Sequence, residues 1–122
     1  MVIVYDSLTG QGKRFASHLE YKCMSVSEYI ESKEEVFLLT RSINFGEVPK
    51  TTEIFLKNFA HKVVGVAVSG NRTWGHNYGK AGETIENEYH IPLVLKYEGS
   101  GYPEDRQVIK DWIKEYINKR ET

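Results

Sequence analysis

Three short stretches of this 122-residue chain concentrate the residue types that bind ligands. Ser7-Leu8-Thr9-Gly10-Gln11-Gly12-Lys13 carries two hydroxyls and two glycines, just ahead of a segment with helical spacing. Hydroxyls, closely approachable amides and the positive end of a helix are the ingredients of a phosphate cradle. Asn44-Phe45-Gly46 follows an apolar run, and Asn and Gly are the residues that best tolerate positive φ. Ser69-Gly70-Asn71-Arg72-Thr73-Trp74-Gly75-His76-Asn77-Tyr78-Gly79 sets an indole and a phenol among glycines and amides. That mixture suits a flat aromatic ligand that needs stacking on its faces and hydrogen bonds along its rim.

Each stretch also has a plainer reading. The first is a Gly-rich turn that starts a helix, the second makes Phe45 a loop anchor in the core, and the third makes Trp74 a cap on the core. The first stretch narrowly misses the pattern G-x-x-x-x-G-K-[ST], with Ser7 in place of Gly and Arg14 in place of the magnesium-binding hydroxyl. Loss of that hydroxyl argues against a nucleoside triphosphatase. A phosphoacceptor receiver domain would share the sheet and use an acid such as Asp6, but the third apolar run ends in Leu39-Thr40 with no acceptor Asp. His18, His61, His76 and His90 are scattered and Cys23 is alone, so no metal site is expected. His76 reads as solvent-facing and Cys23 as a small hydrophobe, while Ser7 and Ser69 lack a base partner.

The elements that must position these stretches follow from the apolar pattern. Met1 to Tyr5, Val36 to Leu39 and Val63 to Val68 are short β-branched or aromatic runs, as expected of strands buried on both faces. A weaker strand fits Lys22 to Val26, and another Ile91 to Leu95. Between them, Phe15 and Leu19, then Ile54, Phe55 and Phe59 behind Pro49, then Ile85 and Tyr89 within 81–89, and finally Val108 to Tyr116 within 105–116 fall at helical spacing. The charged stretch from Glu28 to Glu35 reads as too polar to pack tightly. Five strands and four helices in near alternation predict one α/β domain over residues 1–122, a doubly wound parallel sheet with helices on both faces. In such sheets ligands bind beyond the carboxyl ends of the strands, where all three stretches fall.

Charge narrows the classes further. With 16 basic and 17 acidic residues the net charge is -1, which removes the electrostatic case for nucleic acid or a membrane surface. No apolar run approaches the ~20 residues of a membrane span and the first residues do not resemble a signal peptide, so a cytoplasmic protein is expected.

Together these residues resemble a known family. Ser7-Leu8-Thr9-Gly10 is similar to the phosphate loop of flavodoxins. Phe45-Gly46-Glu47-Val48-Pro49, then Ser69-Gly70-Asn71-Arg72-Thr73-Trp74-Gly75, Tyr78-Gly79-Lys80-Ala81-Gly82 and Tyr89-His90-Ile91-Pro92-Leu93 resemble, in matching order, the NrdI family. The resemblance implies a flavodoxin-like sheet of order 2-1-3-4-5, trimmed of the helix between the second and third strands, with FMN as cofactor. It implies that Ser7, Leu8, Thr9, Gly10, Gln11 and Gly12 take the phosphate. Asn44, Phe45 and Gly46, with Ser69, Gly70, Asn71, Trp74, Tyr78 and Gly79, would then hold the ring system. No side chain is expected to be catalytic in its own right.

The implied role is activation of class Ib ribonucleotide reductase. Reduced FMN converts O2 to a superoxide- or peroxide-level oxidant for the dimanganese small subunit, and an unidentified flavin reductase supplies electrons. The implied tuning device is a peptide at Asn44 that flips to offer its carbonyl to the flavin N5, at a position where relatives usually have Gly. Tyr97-Glu98-Gly99-Ser100-Gly101-Tyr102-Pro103 departs from the family's Phe-Glu-Leu and Gly-Thr continuation. An electron carrier of flavodoxin type and a flavin-free interaction module stand as the competing readings.

Overall fold

A computed structural model describes residues 1–121. The strands are β1 (Val2–Tyr5), β2 (Lys22–Ser25), β3 (Val36–Arg41), β4 (Val63–Ser69) and β5 (Leu93–Tyr97), and the helices are α1 (Gln11–Ser17), α2 (Lys50–Phe59), α3 (Lys80–Tyr89) and α4 (Pro103–Glu121). The strands form one all-parallel sheet in the order β2-β1-β3-β4-β5, as the sequence pattern and the family resemblance lead one to expect.

The apolar runs have no polar face because the sheet has two covered sides. Alternate residues of β1 and β3 divide between them: Val2, Val4, Val36 and Leu38 meet Phe55, Leu56, Ala81 and Ile85 of α2 and α3. Ile3, Tyr5, Phe37 and Leu39 meet Phe15, Ala16, Ile109 and Ile113 of α1 and α4. A side-chain period of two in each strand produces this division.

Two segments differ from expectation for identifiable reasons. The 26–35 connection forms no helix, as the trimmed pattern implies, yet it is not loosely packed. Tyr29 is 9% exposed and sets its ring 5.2 Å from Phe55 and 4.9 Å from Phe59, both edge-on. One aromatic residue thus supplies some of the cover that a whole helix would give. The last strand begins at Leu93 rather than Ile91, because His90 turns left-handed at φ 57 and Pro92 has no N–H to give the ladder. Pro92 still contributes its carbonyl, which accepts from the Val66 amide at 3.0 Å.

Register decides what lies at the carboxyl edge. Arg41, Ser69 and Tyr97 end β3, β4 and β5 in line, whereas β1 stops at Tyr5 opposite Leu39. The chain after β1 therefore begins beside the last two residues of β3, with the Asp6 amide donating to the Leu39 carbonyl at 2.8 Å.

Candidate functional site

The first loop folds around a hydroxyl. Ser7 Oγ accepts the amides of Gly10 and Gly12, each at 3.1 Å, and Gly10 closes the turn at φ 83. A hydroxyl oxygen that accepts two N–H groups still has its own proton to donate. Leu8, Thr9, Gly10 and Gln11 are exposed beside it, and α1 starts at Gln11 with no side-chain cap.

The second loop is a strained hairpin. Ile43 and Glu47 pair in both directions, Glu47 N to Ile43 O at 2.6 Å and Ile43 N to Glu47 O at 3.0 Å, and the Gly46 amide donates to Ile43 O at 2.9 Å. Its central residues, Asn44 and Phe45, have φ of 44° and 63°, the signature of a type I′ turn. Positive φ costs a bulky side chain about 1–2 kcal/mol. The turn nevertheless presents Phe45 to solvent, 69% exposed, so Phe45 is no core anchor.

The third loop makes two 3-10 turns over Arg72–Asn77, with a break at Gly75. Asn71 Oδ1 caps it, accepting from the Thr73 amide at 2.9 Å and the Thr73 hydroxyl at 2.6 Å. Trp74 is only partly buried, with no buried residue in the segment, so it does not cap the core. Instead its ring centroid lies 5.8 Å from that of Phe45. Gly70 and Gly79 pack backbone to backbone, a Cβ on Gly70 coming 3.0 Å from Gly79 N, and the Arg72 guanidinium lies 5.7 Å from the centroid of the Tyr78 ring. His76 is exposed, as expected, and Cys23 packs against the α1/α4 core while only partly buried.

Side chains that sequence reasoning passed over tie these loops together. Ser42, buried, sends its amide to Ser69 O at 2.9 Å and accepts the Ala81 amide on its hydroxyl at 3.0 Å. That joins the second loop to both ends of the third. Glu98, just after β5, accepts the Arg72 amide at 3.0 Å and pairs with its guanidinium at 3.5 Å. Asp6 accepts the hydroxyls of Thr51 and Thr52, each at 2.5 Å, and faces Arg41. A lone acid at the end of an apolar strand was the one visible hint of the last cluster.

A cleft of about 340 Å³ lies on the far side of the second loop between α2 and α3, lined by Glu47, Glu53 and Glu88 among others. Its carboxylates would repel a phosphate, which points an anionic ligand to the rim bearing Ser7, Phe45 and Trp74.

Comparisons with known proteins bear on the family and the fold. Protein NrdI of Bacillus licheniformis is 40% identical over 120 residues, covering 96% of this chain and 90% of that one. Among solved structures, a short-chain flavodoxin associated with a non-canonical PDU bacterial microcompartment matches with a TM-score of 0.74 at 16% identity, covering 97% and 96% of the two chains. A Fusobacterium nucleatum flavodoxin bound to flavin mononucleotide matches with a TM-score of 0.69 at 19% identity, over the same shares. At such identities the two structures speak for the fold. The family model described as NrdI Flavodoxin like matches residues 3–111, and with the loops, the sheet order and the relative all in agreement, the chain belongs to the NrdI flavodoxin-like family.

Proposed function

We propose that this protein binds FMN across the three loops and serves class Ib ribonucleotide reductase as the flavoprotein that activates its dimanganese small subunit. The observation that carries this reading is the Phe45–Trp74 pair, two aromatic rings 5.8 Å apart on a strained turn and an open loop. Apolar rings held out of the core at a conformational cost are the mark of a ligand surface. The residues present fit the cofactor. Ser7 keeps a hydroxyl proton for a phosphate oxygen, and a Cβ added at Gly10 would meet no protein atom within 4 Å. The amides of that loop and the N-terminal end of α1 supply partial positive charge for the dianion. Phe45 and Trp74, too close to admit a third ring between them, would together offer one aromatic face to the ring system, with Ser69, Gly70, Asn71, Tyr78 and Gly79 along its polar rim.

When bound, reduced FMN would supply the electrons that turn O2 into a superoxide- or peroxide-level oxidant for the metal centre, and a separate flavin reductase would recharge it. The protein's part is to bind, orient and tune the flavin. The family membership and the FMN-bound flavodoxin of the same fold support this reading.

Adding FMN to the purified protein is expected to give a bound flavin absorption band, and a colourless protein after reconstitution would sink the proposal. Trp74→Ala is expected to weaken FMN binding about fivefold, from an aromatic contact on the order of 1 kcal/mol, as measured by fluorescence titration. An electron carrier for another acceptor is the second reading. The balance of 17 acids to 16 bases lacks the acidic excess such carriers use to meet basic partners. Mixing the reduced flavoprotein with apo small subunit, manganese and O2 separates the two. A tyrosyl radical is expected here and none from a carrier.

A further inference from the structure

Besides the anchor at Ser42, the two ends of the second loop share one partner, Asp6. It is 7% exposed and follows β1 directly, so it is also the residue from which the first loop departs. Its Oδ2 accepts the hydroxyls of Thr51 and Thr52 in the first turn of α2. Thr52 is fully buried and spends its proton on Asp6, so in the 2.6 Å contact between Thr40 and Thr52 the Thr40 hydroxyl must donate. Oδ1 lies 3.6 Å from the Arg41 guanidinium, whose Nε is buried with no acceptor among the described residues. The Arg41 charge therefore depends on this carboxylate for its compensation.

Arg41 is the last residue of β3, and Thr51 and Thr52 open α2, so these partners bracket the second loop at both ends. Between them lies the turn that carries Asn44 and Phe45 at positive φ. A strained turn persists only where its surroundings over-determine it, and the clamp on its two ends is a buried carboxylate with two hydroxyl donors on one oxygen and a guanidinium facing the other.

We infer that Asp6 is a positioning residue: by clamping both ends of the 42–49 segment it holds the Asn44–Phe45 turn in its strained form, and through that turn sets the potential of a flavin bound beside it. The statement about potential rests on the FMN reading of the preceding subsection, while the statement about the turn does not.

The variants are Asp6→Asn and Arg41→Gln in the full chain. Asparagine can still accept both threonine hydroxyls on its oxygen, but its NH2 then faces the guanidinium, donor against donor. In the flavin-free protein, hydrogen exchange at the Gly46 and Glu47 amides, which close the turn on Ile43, is expected to quicken about tenfold in each variant. Exchange at Val66 in the sheet should stay as in the wild type. In the FMN-loaded protein both variants should move the midpoint potential in the same direction, a readout that a merely structural role leaves unchanged. Unchanged exchange at Gly46 and Glu47 in a folded variant overturns the inference about the turn, and quickened exchange with an unmoved potential overturns the step to the flavin. If Asp6→Asn loses the fold, Arg41→Gln, whose side chain is 22% exposed, decides the matter by the same two measurements. A wild-type protein that takes up no FMN would defeat the flavin reading, and the exchange result would still stand or fall separately.

Discussion

Gly101→Ala is expected to destabilise the protein by about 2–5 kcal/mol. Gly101 lies in the turn between β5 and α4 at φ 75, where an alanine costs about 1–2 kcal/mol. Its Cβ would also stand 2.2 Å and 2.5 Å from two carbons of the Phe15 ring. Phe15 has nowhere to retreat: it is fully buried and packs 4.4 Å from Tyr97, whose own burial holds its phenol neutral well above the ordinary range. Overpacking such a site costs a further 1–3 kcal/mol or so. Against a typical domain stability of about 5–15 kcal/mol, the urea midpoint should fall by about 1 M or more. The damage should reach the site, because Phe15 belongs to α1 and α1 begins at the first loop. Phe15→Leu in the same chain removes the obstructing ring edge, so the double variant should recover part of the loss rather than add to it. Strictly additive losses would show that the contact with Phe15 is not the cause.

That glycine marks where reading the sequence stops. The strands and the helices were legible because burial on two faces leaves uninterrupted apolar runs, and burial on one face of a helix leaves a stripe. The three candidate loops were legible because glycines, amides and aromatics cluster there against the ordinary composition of a turn. What joins them was not. Asp6 meets Thr51 and Thr52 across 45 and 46 residues, Ser42 meets Ala81 across 39, and Arg72 meets Glu98 across 26. Apart from Asp6, a lone acid at the end of an apolar strand, nothing local distinguishes those side chains, since each is polar for the sake of a partner that only sheet order brings alongside. Tyr29 was hidden by its neighbours for a similar reason: one aromatic in a charged run has no periodicity to betray it. Phe45 had two readings, a core anchor or a contact for the ring system, and composition alone favoured the first because a single phenylalanine in a loop most often packs inward. Only the turn geometry, with its i→i+3 bond and two positive φ values, turns it outward.

The same turn yields the second large effect, and its sign can be worked out from the backbone alone. Rotating the peptide between Asn44 and Phe45 by half a turn converts a type I′ turn to type II′, leaving positive φ at the first central residue only. Phe45 then moves to φ of about -80° and loses its strain, while Asn44 keeps positive φ with ψ near about -120°, a region that is essentially reserved for glycine. The two residues therefore oppose each other: Phe45 favours the flipped peptide, Asn44 the form observed. If the flipped carbonyl accepts the proton carried by flavin N5 only after reduction, whatever favours the flip makes reduction easier. Asn44→Gly removes a cost of about 1–3 kcal/mol from the flipped form and should raise the one-electron midpoint potential by roughly 40–130 mV. Phe45→Gly removes the strain of about 1–2 kcal/mol from the unflipped form and should lower it by roughly 40–90 mV. Loss of the Phe45 ring will also weaken flavin binding, but a uniform loss of affinity for both oxidation states does not move a potential. Opposite shifts in spectroelectrochemical titrations of the two variants are the expected result. Shifts of the same sign would mean that the Asn44–Phe45 peptide does not turn over with the redox state, and that the strain serves only to hold Phe45 against Trp74.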